Sequence, residues 1–162
     1  VDNNKEFDYH KHNSVYISDY IKFADAKAGA ALGLNVALVG FFAKTLKDSW
    51  TITALKLSDL FLLIALLFLI ISLYFILWRI LWPRYVKSTQ LYQSWGGIGS
   101  FANLDDYYNY LKQQPEQKFL KDMAAQNYSL AQVCIKKYWN FERAVVFLTT
   151  GAISGVAGWM LI

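Results

Sequence analysis

The hydrophobic positions of this chain follow two patterns, unbroken apolar runs and long stripes at helical spacing. Leu60 to Trp78, LFLLIALLFLIISLYFILW, carries no charge, and neither does Ala144 to Ile162, AVVFLTTGAISGVAGWMLI. Each reaches the length of about 20 mostly apolar residues that a bilayer-crossing helix needs. Ala28 to Ala43 is also uncharged but shorter, roughly 24 Å of helix against a hydrocarbon core of about 30 Å. Lys27 and Lys44 flank it, and their stems can carry the ammonium groups outward to the interfaces. The pattern predicts an all-α membrane protein with three transmembrane helices, at 24–46, 58–82 and 144–162. The second, rich in Leu, Ile and Phe and free of Gly, is expected to meet lipid most.

Two stripes run straight into these spans. Ile17, Ile21, Ala24 and Ala28 share one face, with no Pro from Lys5 to Lys44 and no Gly before Gly29. Leu120, Ala124, Asn127, Ala131, Cys134, Tyr138, Phe141 and Val145 recur at alternating steps of three and four, a coiled-coil-like seam. Two long helices are therefore expected to pack together outside the bilayer. Between them, SWGGIGSF (Ser94 to Phe101) reads as a glycine-rich loop. Asn103 reads as the N-cap of a short helix with Asp105 and Asp106 in its first turn, where acids suit the helix dipole. That helix stops before Pro115, which suits the first turn of the next. Residues 1–23 and the insert 83–143 would then form a helical head, and 47–57 a short outer loop.

Composition agrees with a membrane chain: 56% of residues are hydrophobic and only 17% charged, and the 6 Trp and 11 Tyr suit membrane interfaces. Orientation follows from the basic residues. Of 16 Lys and Arg, Lys44, Lys47 and Lys56 alone belong to the link between the first two spans. The excess on the other side places the N-terminus and the 83–143 insert in the cytoplasm. The net charge of +4 suits an anionic surface or a phosphate ligand better than wrapped nucleic acid. The lone Cys134 cannot form an intrachain disulfide and reads as a small buried apolar residue. The chain opens on Val1 rather than Met, which points to a trimmed start, and VDNNKEFDYHKH does not resemble a signal peptide.

Candidate sites are few. Asp25 and Lys27 stand where the first helix meets the apolar stretch, and Glu142 and Arg143 stand at the equivalent depth before the third. A cross-helix pair, Asp25 with Arg143, is expected, serving as a structural lock, a gate, or both. Gly29, Gly33 and Gly40 form a small-residue face on the first span, and Gly151, Gly155 and Gly158 another on the third. Such faces let helix backbones approach closely in lipid, within one protomer or between protomers. Asn35, in mid-span, needs a hydrogen-bond partner and is expected to find one across helices, with a pore-lining role as the alternative. In the glycine-rich stretch, the backbone of Gly96, Gly97 and Gly99 offers N–H groups to a phosphate, Trp95 and Phe101 offer rings for a base, and Arg84 and Lys87 offer charge; a plain turn is the competing reading. Asp8, His10 and His12 alternate sides of a helix and do not make a metal site. No catalytic triad, zinc motif or paired catalytic carboxylates are legible, so a non-enzymatic role is expected.

The most distinctive string is A-D-x-K-A-G-x-x-L-G-L-N, at Ala24 to Asn35. With the Leu-rich second span, the glycine-containing loop before LDDYYNYL, the run from Gln126 to Tyr138 and the small-residue third span, it resembles the transmembrane effector family of the Pycsar antiphage systems over nearly the whole chain. The resemblance implies a membrane effector activated by a cyclic pyrimidine mononucleotide from a partner cyclase. It implies impairment of the inner membrane and growth arrest before phage mature. A non-killing anchor or recruiting subunit and a small constitutive channel are the alternatives, and a homo-oligomer is expected.

Overall fold

The computed structural model describes residues 3–50, 56–82 and 95–162. Their regular structure is helical throughout. Helix α1 runs from Asn3 to Ser49, α2 from Leu57 to Tyr74, α3 from Trp95 to Ile98, α4 from Leu104 to Gln113 and α5 from Glu116 to Met160. α2 continues as a π-helix, Phe75–Leu81, whose wider turn is closed by the Trp82 N–H donating to the Leu77 carbonyl at 2.9 Å. Among the described residues α1, α2 with its π-helical end, and α5 are long and apolar enough to cross a membrane. The absence of Pro lets α1 reach 47 residues. α5 reaches 45 because Pro115 sits ahead of it, lending its carbonyl to the N–H of Lys118 at 2.9 Å.

The chain divides into two compact units, a head of residues 1–22 and 84–135 and a membrane unit of 23–83 and 136–162. In the head, α1 meets α5 through stacked Phe7 and Phe119 rings 6.2 Å apart. The Asn127 amide also donates to the His10 carbonyl at 2.8 Å. Asn103 caps α4 by accepting from the Asp106 N–H at 2.8 Å, as its position before two acids predicts. The glycine-rich stretch departs from the expected loop. Trp95–Ile98 closes one helical turn, and the Ser100 hydroxyl donates to the Gly97 carbonyl at 2.6 Å to end it. Cys134 is half-buried rather than enclosed.

The membrane unit is held by two apolar clusters. One joins Ala28 of α1, Ile76 and Ile80 of the π-helix and Ala144 of α5. The other joins Phe42 of α1 to Leu62, Ala65 and Leu69 of α2. Two hydroxyls tie α2 to α5 between backbones that have no water to turn to in lipid: Ser72 donates to the Ala144 carbonyl at 2.8 Å, and Ser154 to the Phe61 carbonyl at 2.9 Å. Near the α1–α2 link, Asp59 is almost fully buried and accepts from Ser49 Oγ and the Lys56 N–H, each at 3.1 Å.

The second span is not the most lipid-facing. Of its most apolar stretch 28% is buried, against 17% for α1 and 22% for α5. α2 is where two of the three glycines of α5 dock, Gly151 and Gly158. A Cβ on Gly151 would stand 2.9 Å from Leu69 Cγ, one on Gly158 would stand 3.0 Å from Leu62 Cγ, and one on Gly155 would overlap the Phe42 ring of α1. By contrast, Gly29, Gly33 and Gly40 have nothing within 4 Å of where a Cβ would lie. Among the described residues these three are not at a helix contact.

Candidate functional site

The charged residues where α1 and α5 turn apolar form the best-defined polar site of the membrane unit. Asp25 of α1 pairs with Lys137 of α5, not with Arg143. The register explains the correction. Ala144 faces Ala28 in the apolar cluster, and Lys137 lies two turns before Ala144 on the same face of α5. Asp25 lies one turn before Ala28, and the four-carbon lysine stem spans the remaining rise. Arg143 precedes Ala144 by one residue and so projects about 100° away. Its guanidinium instead lies 3.2 Å from the centre of the Trp139 ring. Glu142, beside it, is exposed and makes no ion pair among the described residues.

Lys27 is held by rings rather than by an acid. Its ammonium sits 4.2 Å from the centre of Phe23 and 6.0 Å from that of Tyr138. The Lys137 side chain is 14% exposed and that of Asp25 39%, so the pair is partly screened by solvent. The site thus holds one cross-helix ion pair and two cations resting on aromatic faces, all fixed by α1 and α5.

Asn35 lies seven residues after Ala28 and seven before Phe42, on the same face of α1. It is fully buried, and neither its amide nitrogen nor its carbonyl oxygen has a partner among the described residues. The expected cross-helix hydrogen bond is not formed. Asn140 is better served, since its amide donates to the Lys136 carbonyl at 2.6 Å, while its own oxygen has no partner among the described residues.

In the head, the glycine-rich segment does not form an anion nest. Such a nest needs left-handed residues alternating with right-handed ones, and no described glycine has a positive φ. The Phe101 ring is packed against Tyr107 and Tyr110, each 5.3 Å away. Gly96 and Gly99 are exposed and Gly97 is buried. Arg84, Lys87 and the Trp95 side chain lie outside what the structure describes. On α1, the Tyr16 and Tyr20 rings lie 4.8 Å apart. A hydrogen bond with Tyr20 pushes the Tyr16 phenol above its ordinary pKa, and nearby Cys134 adds to the shift.

Several of these groups escaped the sequence reading. Lys137 was one of two adjacent lysines, and only the register of α5 separates its role from that of Lys136. Asp59 had a legible signal, an acid in the first turn of an apolar helix. Ser72 and Ser154 were single hydroxyls in apolar runs, which in lipid must find an acceptor.

Comparison with known proteins agrees with the motif-level resemblance. The family described as Pycsar effector protein domain matches residues 9–162. A curated relative, the Pycsar effector protein SaPycTM of Staphylococcus aureus, is 27% identical over 155 residues, covering 91% of this chain and 90% of the relative. No solved structure matches.

Proposed function

The chain belongs to the Pycsar effector family, and on that premise we propose that it is a membrane effector switched on through its head by a cyclic nucleotide. The ligand we propose is a cyclic pyrimidine mononucleotide from a partner cyclase, and the outcome is loss of inner-membrane integrity and abortive infection. The N-terminus and the 83–143 insert face the cytoplasm, where the ligand is made. Copies of the chain associate, and no nucleic acid is bound.

One observation supports this reading above the others: α1 and α5 each contribute one unbroken helix to both the head and the membrane unit. A continuous helix gives ligand binding in the head a mechanical route to the spans. The Asp25–Lys137 pair supports a lock on that route, since it ties the same two helices where they turn apolar. Asn35 supplies a reason for the lock to be releasable. An amide buried without partners costs about 1–3 kcal/mol, and a packing in which it finds a partner recovers that cost. Within the head, the segment from Trp95 to Phe101, with Arg84 and Lys87 before it, is the proposed ligand contact, through side chains rather than a backbone nest.

Co-expression with the partner cyclase, read with a membrane-potential dye, tests the proposal. Depolarisation is expected with active cyclase and not with a catalytically dead one. Depolarisation in both cases would make the chain a constitutive channel, and depolarisation in neither would make it an anchor. Equal calorimetric binding of cyclic nucleotide by the intact chain and by Trp95→Ala would remove the glycine-rich segment from the ligand site.

A further inference from the structure

A groove of about 590 Å³ opens on the membrane unit and is lined by Phe75, Trp139, Glu142, Arg143, Val146 and Phe147. Its chemistry changes along its length. Trp139, Glu142 and Arg143 come first along α5, and Val146 and Phe147 follow as the helix turns apolar. The floor is aromatic. The Phe147 ring stacks on Phe75 at 5.7 Å and on Phe68 at 6.0 Å. An elongated apolar chain fits that end.

The other end presents opposite charges side by side. The Arg143 guanidinium lies 3.2 Å from the centre of the Trp139 ring, a contact that leaves N–H groups able to donate. Glu142 and Arg143 have no ion-pair partners among the described residues. Both groups are exposed where α5 turns apolar, so an occupant carrying the complementary pair of charges can meet them together. A purely anionic headgroup would meet repulsion from Glu142. The exposed α1 face of a second copy, built around Gly29, Gly33 and Gly40 and continued by Lys22 and Lys44, offers lysines alone, which can meet Glu142 but not Arg143.

We propose that this groove is a binding site for a zwitterionic phospholipid bearing a primary amine. The phosphate accepts hydrogen bonds from Arg143, the ammonium donates to the Glu142 carboxylate, and one acyl chain lies along Phe75, Val146 and Phe147. A quaternary amine has no N–H to donate, so the carboxylate distinguishes the two headgroups.

The test is native mass spectrometry of the full chain, purified in detergent with equimolar phosphatidylethanolamine, phosphatidylcholine and phosphatidylglycerol. Phosphatidylethanolamine should be retained over the other two by about tenfold, the worth of one hydrogen bond to a charged group. Glu142→Gln should erase its advantage over phosphatidylcholine, and Arg143→Gln should reduce retention of all three. Val146→Trp, with the charges intact, should displace lipid by filling the acyl end. Equal retention of the three lipids, preference for phosphatidylglycerol, or no change in Glu142→Gln would overturn the proposal. Both charged positions are exposed, and an unchanged Tm of each variant separates lost binding from lost fold.

Discussion

α1 and α5 look alike in sequence and differ in what they do with their small residues. Each runs through both units, and each carries three glycines in its apolar stretch. The glycines of α5 are filled by Leu62, Leu69 and Phe42, so there the missing side chain is what lets the backbones approach. Those of α1 face outward with nothing near them. A glycine in a helix costs about 1 kcal/mol relative to alanine, and α5 recovers that cost inside the protomer whereas α1 does not. The comparison leaves the α1 glycine face unfilled among the described residues.

The largest expected effect separates the two helices directly. Gly155→Leu should destabilise the membrane unit by about 3 kcal/mol, because the new side chain must displace the buried Phe42 ring. Gly33→Leu, the same chemical change on α1, should leave stability within about 0.5 kcal/mol. Thermal unfolding in detergent measures both. Equal losses would erase the distinction. A smaller oligomer from Gly33→Leu at unchanged Tm would sharpen it, assigning the α1 face to assembly.

The next effect has the opposite sign. Asn35→Leu should stabilise the resting protein by about 1–2 kcal/mol, since it replaces a buried amide that makes no hydrogen bond by an apolar group of similar size. A loss of stability would mean that the amide has a partner after all. In co-expression with active cyclase, the same variant should depolarise membranes less than the unaltered chain, because the resting state is then favoured.

How much of this was legible depended on which physical constraint was in force. The three spans were readable because length and apolarity in a bilayer leave one solution. The long extensions were readable because neither Pro nor an early Gly interrupts the stripes, and Asn103 because a cap has a local signature. Partner choice was not readable. That Asp25 meets Lys137 depends on which α5 residue stands level with Ala28, a property of helix register that spacing within one helix does not carry. The same holds for the glycines, since a small-residue face states that something can come close and not what does. The burial of α2 was misjudged for a related reason. Its bulky residues looked lipid-facing, yet Leu62 and Leu69 are what the α5 glycines receive.

The smallest effect tests that register. A double-mutant cycle between Asp25 and Lys137 should give a coupling of about 0.5 kcal/mol, modest because the carboxylate side chain is more than one-third exposed and solvent screens the pair. The cycle between Asp25 and Arg143 should give none, since Arg143 rests on Trp139. Exchanging the charges, Asp25→Lys with Lys137→Asp, should recover stability lost in either single reversal. Coupling to Arg143 instead would shift α5 by nearly two turns against α1 and break the contacts of Ala144 with Ser72 and Ala28. The same variants separate a static pin from a releasable lock. If the pair only sets the depth of the helices, Lys137→Ala lowers stability and leaves the cyclase dependence of depolarisation unchanged. If it holds the resting state against the signal, Lys137→Ala lowers the ligand level at which depolarisation begins, and the charge exchange restores it.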